Sequence, residues 1–214
     1  MIRKSVFLAA LSVLAAVSLS ACTDEFTPEE AVDYVQSALD ASYRGEFEEY
    51  VSVTDSTLEE AEAMYQQNIE NVVSGIGVEE LGISEELSQQ YRDIAPDLLA
   101  LAKYEAVSAE ETDAGFDVEV SIEPFTGYEG LQDELNAAIE EEAAGLTEVP
   151  TDAEANEIVY RNMLELLIPR IEAPTYGEAE PFTIHVIRGE DNMYEISEED
   201  LVEMDYAMFP GEDE

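Results

Sequence analysis

Hydrophobic positions recur with two different periods along this chain, and the change between them divides it. From Ala31 to Leu101 the spacing is close to four. Ala31, Val35, Ala38, Leu39 and Ser42 share one side of a helix that Thr27 caps, Pro28 opens and Glu30 completes as a capping box, and Gly45 stops it. Phe47, Tyr50, Val51 and Val53, between Glu46 and Thr54, predict a short helical turn beneath that helix. Ser56 and Glu59 stand at capping-box spacing ahead of Ala61, Met64, Tyr65, Ile69, Val72 and Val73, a helix that reaches the Gly75-Ile76-Gly77 breaker. Ser84 caps a third helix with Leu87, Tyr91, Ile94, Leu98 and Leu101 on its apolar side; Pro96 is expected to kink or divide it.

From Lys103 the period becomes two. Lys103 to Ser108 predicts a strand, Asp113-Ala114-Gly115 a turn, and Phe116 to Glu123 a strand of unbroken alternation. Phe116, Val118, Val120 and Ile122 fall on one face, and Asp117, Glu119, Ser121 and Glu123 on the other. That is the signature of an antiparallel sheet with one buried and one wet face. Leu131 to Ala144 reads as a helix ended by Gly145. Thr151 or Asp152 caps another that runs to about Ile168, before Pro169, with its second half deeply buried. Pro181 to Arg188 and Asn192 to Ile196 predict a hairpin around Gly189-Glu190-Asp191, and Ser197 caps a last helix with Asp200 at the box position. Met208, Phe209 and Pro210 are expected to fold back on the core. The order predicts an α+β domain, with several helices on one face of a roughly four-stranded antiparallel sheet.

The first 22 residues decide where that domain works. Met1-Ile2-Arg3-Lys4 is cationic, and Val6 to Leu19 carries no charge. The run is short of the roughly 20 apolar residues a spanning helix needs, and a cationic start with small residues before a cut site reads as a secretory signal. Leu19-Ser20-Ala21-Cys22 resembles a bacterial lipobox. The resemblance implies a cleaved signal peptide over 1–21 and diacylation of Cys22; the residues that follow read as a tether over 22–26, one domain over 27–210 and a frayed acidic tail over 211–214. The alternative is an ordinary signal peptide with a chance cysteine.

Composition narrows the partners. A hydrophobic fraction of 46% is enough for a packed core, and Cys22, the single cysteine, permits no intramolecular disulfide. With 52 acidic against 8 basic residues the formal charge is −44. Loss of Arg3 and Lys4 with the signal leaves Lys103 as the one lysine. Such a surface repels nucleic acid and anionic headgroups, and its self-repulsion works against the compact state.

Ala31-Val32-Asp33-Tyr34-Val35 and Tyr43-Arg44-Gly45-Glu46-Phe47-Glu48-Glu49-Tyr50, taken with the lipobox and the later strands, carry a resemblance to a known group. The chain resembles the uncharacterised surface lipoproteins of Gram-positive bacteria that have a nuclear-transport-factor-2-like or cystatin-like domain. The resemblance implies a fold and a place on the cell membrane facing outward, and no reaction. The helical pair between the hairpins departs from the simplest fold of that kind.

Candidate chemistry is sparse. His185 is the one histidine; alternation puts it with Thr183 and Ile187 on the open face, where Asp117 or Glu119 could favour imidazolium. Glu110, Glu111, Asp113 and Asp117 flank a turn that could hold Ca²⁺ through oxygen ligands, and Glu190, Asp191 and Asn192 occupy another. Neither turn matches a calcium-loop pattern. Tyr34, Tyr65, Tyr91, Tyr104 and Tyr160 either line a cavity or edge the core with hydroxyls in water. No phosphate-binding loop, dinucleotide fingerprint, zinc motif or nucleophile elbow occurs, so no cofactor is expected. The expectation is a non-enzymatic, lipid-anchored module for a protein, cell-wall or small-molecule ligand. The alternatives are an enzyme using a carboxylate with His185 in a sheet-helix cavity, and a divalent-cation-dependent surface module.

Overall fold

A computed structural model describes residues 26–54, 56–77, 81–189 and 193–211. The signal segment, Cys22, the acidic turn at 190–192 and the last three residues lie outside them. The described residues form seven helices and a four-stranded antiparallel sheet of order β1-β2-β3-β4. The helices pack against the sheet, as the change of period predicts.

Helix α1 (Pro28–Arg44) is built as its sequence dictates. Thr27 and Glu30 close a reciprocal capping box, and Gly45 ends the helix at φ 68°, in the left-handed region. Ala31, Val35, Ala38 and Leu39 are fully buried against β1 (Tyr104–Thr112) and β2 (Gly115–Ile122). Short α2 (Glu48–Val53) follows beneath α1, with Tyr50 buried. Helix α3 (Leu58–Ile76) is capped one residue later than predicted, by Thr57 with Glu60. Two overlapping hydroxyl-to-glutamate spacings exist in this stretch. The one used brings Ala61, Met64, Asn68, Val72 and Val73 to the buried side.

Helix α4 (Glu85–Leu99) is not divided by Pro96, which sits within its last turn, and Leu101 lies beyond its end. Ser84 caps it through Leu87 N–H, and its own N–H and hydroxyl donate to Glu157 at 2.6 and 2.7 Å. The acid of this capping arrangement therefore comes from α6 (Asp152–Glu172), 73 residues away. Asn156, also on α6, donates to Leu81 O at 2.8 Å and holds the same loop.

Strand β1 is longer than the predicted Lys103–Ser108. Its register with β2 shifts between Ala106 and Ser108, so a bulge at Val107 breaks the alternation while pairing continues to Thr112. Helix α5 (Leu131–Ala144) has the predicted bounds. Helix α6 runs through Pro169 to Glu172 instead of stopping at Ile168. Arg170 closes the disturbed turn: its guanidinium donates to Leu166 O and to Gly127 O, both at 2.8 Å, and to Glu134 at 2.9 Å. Met163, Leu164 and Leu167 are buried in its second half, but Ile168 is 39% exposed, so burial follows one stripe and not the whole segment.

Strands β3 (Glu180–Arg188) and β4 (Tyr194–Ile196) complete the sheet, and α7 (Glu198–Met208) closes the domain. Phe125 N–H donates to Met208 O at 2.8 Å, and Met208 is buried, so the C-terminal segment does fold back. Gly115 opens β2 at φ 145°, where an added Cβ would stand 2.0 Å from Val186 O. Gly115→Ala should cost about 2–4 kcal/mol, from a rare backbone conformation plus a clash with a paired strand. Urea unfolding of the two proteins measures it, and equal midpoints would refute the close approach.

Candidate functional site

Cross-strand pairing assembles residues that are far apart in sequence. Glu110 stands opposite Asp117, and Asp117 stands opposite His185, so the three form one row across β1, β2 and β3. Directly opposed residues project to the same side of a sheet, and this row is on the open side, away from Val118 and Ile184. Glu105, Ser108, Glu119, Thr183 and Ile187 share that face by the same register. Glu111 pairs with Phe116, which places it on the helix side, and exposed Asp113 sits in the turn. The four acids that the sequence puts around one turn are thus split between two faces. Among the described residues no group of three or more histidine, cysteine, aspartate or glutamate side chains is placed to hold a metal ion.

The partner of His185 that sequence reading missed is Asp200. Strand β4 ends at Ile196, and Ser197 N–H donates to His185 O at 2.9 Å. His185 N–H, left without a strand to pair with, donates to Asp200 Oδ2 at 2.7 Å. The same oxygen lies 2.8 Å from His185 Nδ1. Ser197 caps α7 through Asp200 N–H as expected, while the Asp200 carboxylate caps the edge of β3. The S-x-x-D spacing was legible in the sequence; that its acid serves a strand was not.

The ring Nδ1–H donates to Asp200, so in the neutral imidazole the Nε2 lone pair faces the open side, 3.9 Å from Asp117 Oδ1. The His185 side chain is 52% exposed and the Asp200 side chain 13%. Hydrogen bonding to Asp200 raises the imidazole pKa above its ordinary value; desolvation opposes this, and the charges of Asp200 and Asp117 add to it. The arrangement can accept and release a proton at Nε2 with its tautomer held.

Several of the tyrosines turn their hydroxyls onto protein acceptors. Tyr91 donates to Tyr160 O at 2.7 Å, Tyr104 to Asp40 at 3.0 Å and Tyr160 to Ile76 O at 3.4 Å. Tyr43 donates to the buried Asp205 on α7. Burial drives the phenol pKa of Tyr43, Tyr91 and Tyr104 upward, which keeps these donors protonated. Tyr34 is buried and Tyr65 half-buried against Phe47. The sequence expectation of hydroxyls in water is corrected for Tyr91, Tyr104 and Tyr160: turned inward, they find carbonyl and carboxylate acceptors.

No protein-family model matches the chain, and no curated protein matches it in sequence. Its fold is similar to that of YcdA from Bacillus subtilis, a protein inferred to be a lipoprotein. The TM-score is 0.58 at 10% identity, over 84% of this chain and 56% of that one. The likeness is one of fold, and the chain spans little more than half of YcdA. Among the described residues no helix is long and apolar enough to cross a membrane.

An imidazole with a higher pKa folded than unfolded adds stability that is complete below the unfolded value of about 6.5 and is lost as the pH rises through the folded value. The melting temperature should therefore exceed that of His185→Gln by more at pH 5.5 than at pH 8.5. Exposure of the ring limits the difference to about a few degrees. A gap independent of pH would show that Asp200 does not prefer imidazolium.

Proposed function

We propose that this chain is a membrane-anchored, extracytoplasmic lipoprotein domain that works by binding, not by turnover. The observation that carries the reading is Leu19-Ser20-Ala21-Cys22 at the end of a cationic and then apolar leader, followed within five residues by the capped start of α1. The fold likeness to YcdA, itself inferred to be a lipoprotein, supports it. A long helix lying across an antiparallel meander supports the cystatin-like or nuclear-transport-factor-2-like description of the domain.

Binding falls to the surface in this reading. Three of the tyrosines that could have lined a cavity, Tyr91, Tyr104 and Tyr160, spend their hydroxyls on internal acceptors, whereas the open sheet face presents Glu105, Glu110, Glu119, Thr183 and His185 to solvent. Its ligand is a protein, a cell-wall component or a small molecule. One observation favours a second reading, an enzyme: the Asp200-oriented imidazole has the geometry of a general base. Turnover of a wall-derived substrate that His185→Gln abolishes would establish it over the first.

Expression of the full chain and of Cys22→Ser in a bacterial host fed a clickable fatty acid tests the anchor. Label and membrane fractionation are expected for the parent and loss of both for the variant. An unlabelled parent in the soluble fraction would sink the reading.

A further inference from the structure

The place where the chain enters the domain determines which end of it lies near the lipid. The turn at 113–114 joins β1 to β2, and β3 ends at Arg188, directly opposite Tyr194 at the start of β4. Antiparallel pairing of β2 with β3 puts the 113–114 turn and the Arg188–Tyr194 pair at one end, with Gly115 opposite Ile187 and Arg188 N–H donating to Ala114 O at 2.7 Å. Phe26, just ahead of α1, packs at this same end: its ring lies 5.4 Å from that of Phe116 and 4.5 Å from that of Tyr194. Those two residues stand at the starts of β2 and β4. Helix α1 then runs away from that end. Its Gln36 accepts from Ala106 N–H at 2.9 Å, its Asp40 accepts from the Tyr104 hydroxyl, and Arg44 stands 4.6 Å from the Tyr104 ring centre.

Cys22 precedes Phe26 by four residues, so even a fully extended chain puts it within about 14 Å of the aromatic cluster. Strand β2 alone separates its two ends by about 23 Å. A link this short cannot deliver the anchor to the far end, around Ile122 and Glu180.

We propose that the anchored protein faces the lipid surface with the end that holds Phe26, Phe116 and Tyr194, and that the end holding Tyr104, Ile122 and Glu180 points away from the membrane. This rests on acylation of Cys22. The facing end carries exposed Glu110, Glu111 and Asp113, so within a Debye length of about 8 Å it is repelled by anionic headgroups and comes closest to neutral ones. The open sheet face, whose strands run between the two ends, is left free for ligands.

The acylated full chain takes one introduced cysteine as its sole free thiol, because Cys22 is blocked. A fluorophore is placed at Ala114→Cys, in the near turn, or at Ala179→Cys, just before β3, both exposed positions. The protein is incorporated into phosphatidylcholine vesicles bearing nitroxide headgroups. Quenching several-fold greater at position 114 than at 179 is expected. Replacing a third of the lipid with phosphatidylglycerol at low salt should weaken the quenching at 114, and added NaCl should restore it. Protein that fails to float with the vesicles removes the anchor reading and the orientation with it. Flotation with equal or reversed quenching overturns the orientation alone, and quenching at 114 that ignores lipid charge overturns the repulsion.

Discussion

Ala31, Val35, Ala38 and Leu39 of α1 share a core with Val118, Val120 and Ile184 of the sheet, all at 0% exposure, and the rest of the molecule depends on that contact. With no disulfide possible and a formal charge of −44, the chain must overcome its own repulsion by burial alone. Each buried valine or leucine contributes about 1.5–3 kcal/mol toward that. α1 is also the element through which others attach. Asn68 of α3 donates to Ser42 O at 3.3 Å, and Tyr43 donates to Asp205 of α7. A helix that covers the sheet on one side leaves the other side bare, and that bare side is where His185 stands.

On each side of the sheet a helical side chain takes one strand N–H that no neighbouring strand pairs. On β1, Gln36 Oε1 takes the Ala106 N–H just before the bulge, and Gln36 Nε2 is held in turn by Asp40 at 2.9 Å. On β3, Asp200 takes the His185 N–H where β4 runs out. Free strand edges invite pairing with other chains, and these two devices remove part of that invitation. The second has a chemical by-product. A carboxylate recruited to satisfy a backbone donor also meets the adjacent imidazole, so an edge cap and an oriented histidine are one structure.

The scarce cations are placed with economy. Arg44 pairs with Asp40 one turn away on α1, Lys103 with Glu123, Arg161 with Glu142 and Arg170 with Glu134. The last two join α6 to α5, and Arg170 also reaches the loop after β2. Such exposed pairs are individually weak, so their main effect is on which helices neighbour one another. On the open face Glu110 remains directly opposite Asp117, a like-charged pairing that costs the sheet stability and that His185 offsets from one side when its imidazole is protonated.

Much of this protein was written locally. The capping box at Thr27 and Glu30, the bounds of α5, the hairpin after Pro181 and the alternation from Phe116 to Ile122 follow from short-range periods and caps, and the buried faces came out as those periods require. Local spacing misled where two signals competed or where a distant group intervened. Thr57 displaced Ser56 as a cap, the Val107 bulge hid the second half of β1, and Arg170 let α6 continue past Pro169. The site belongs to a third class. His185, Asp117 and Glu110 could each be named from sequence, but their alignment in one row depends on strand order and register, and Asp200 enters only because β4 is three residues long. Sequence by itself determined the elements, their buried faces and the chemistry available, because those depend on neighbours within a few residues. Tertiary structure alone decided which carboxylates meet the histidine, because that depends on how separate strands and a helix end come together in space.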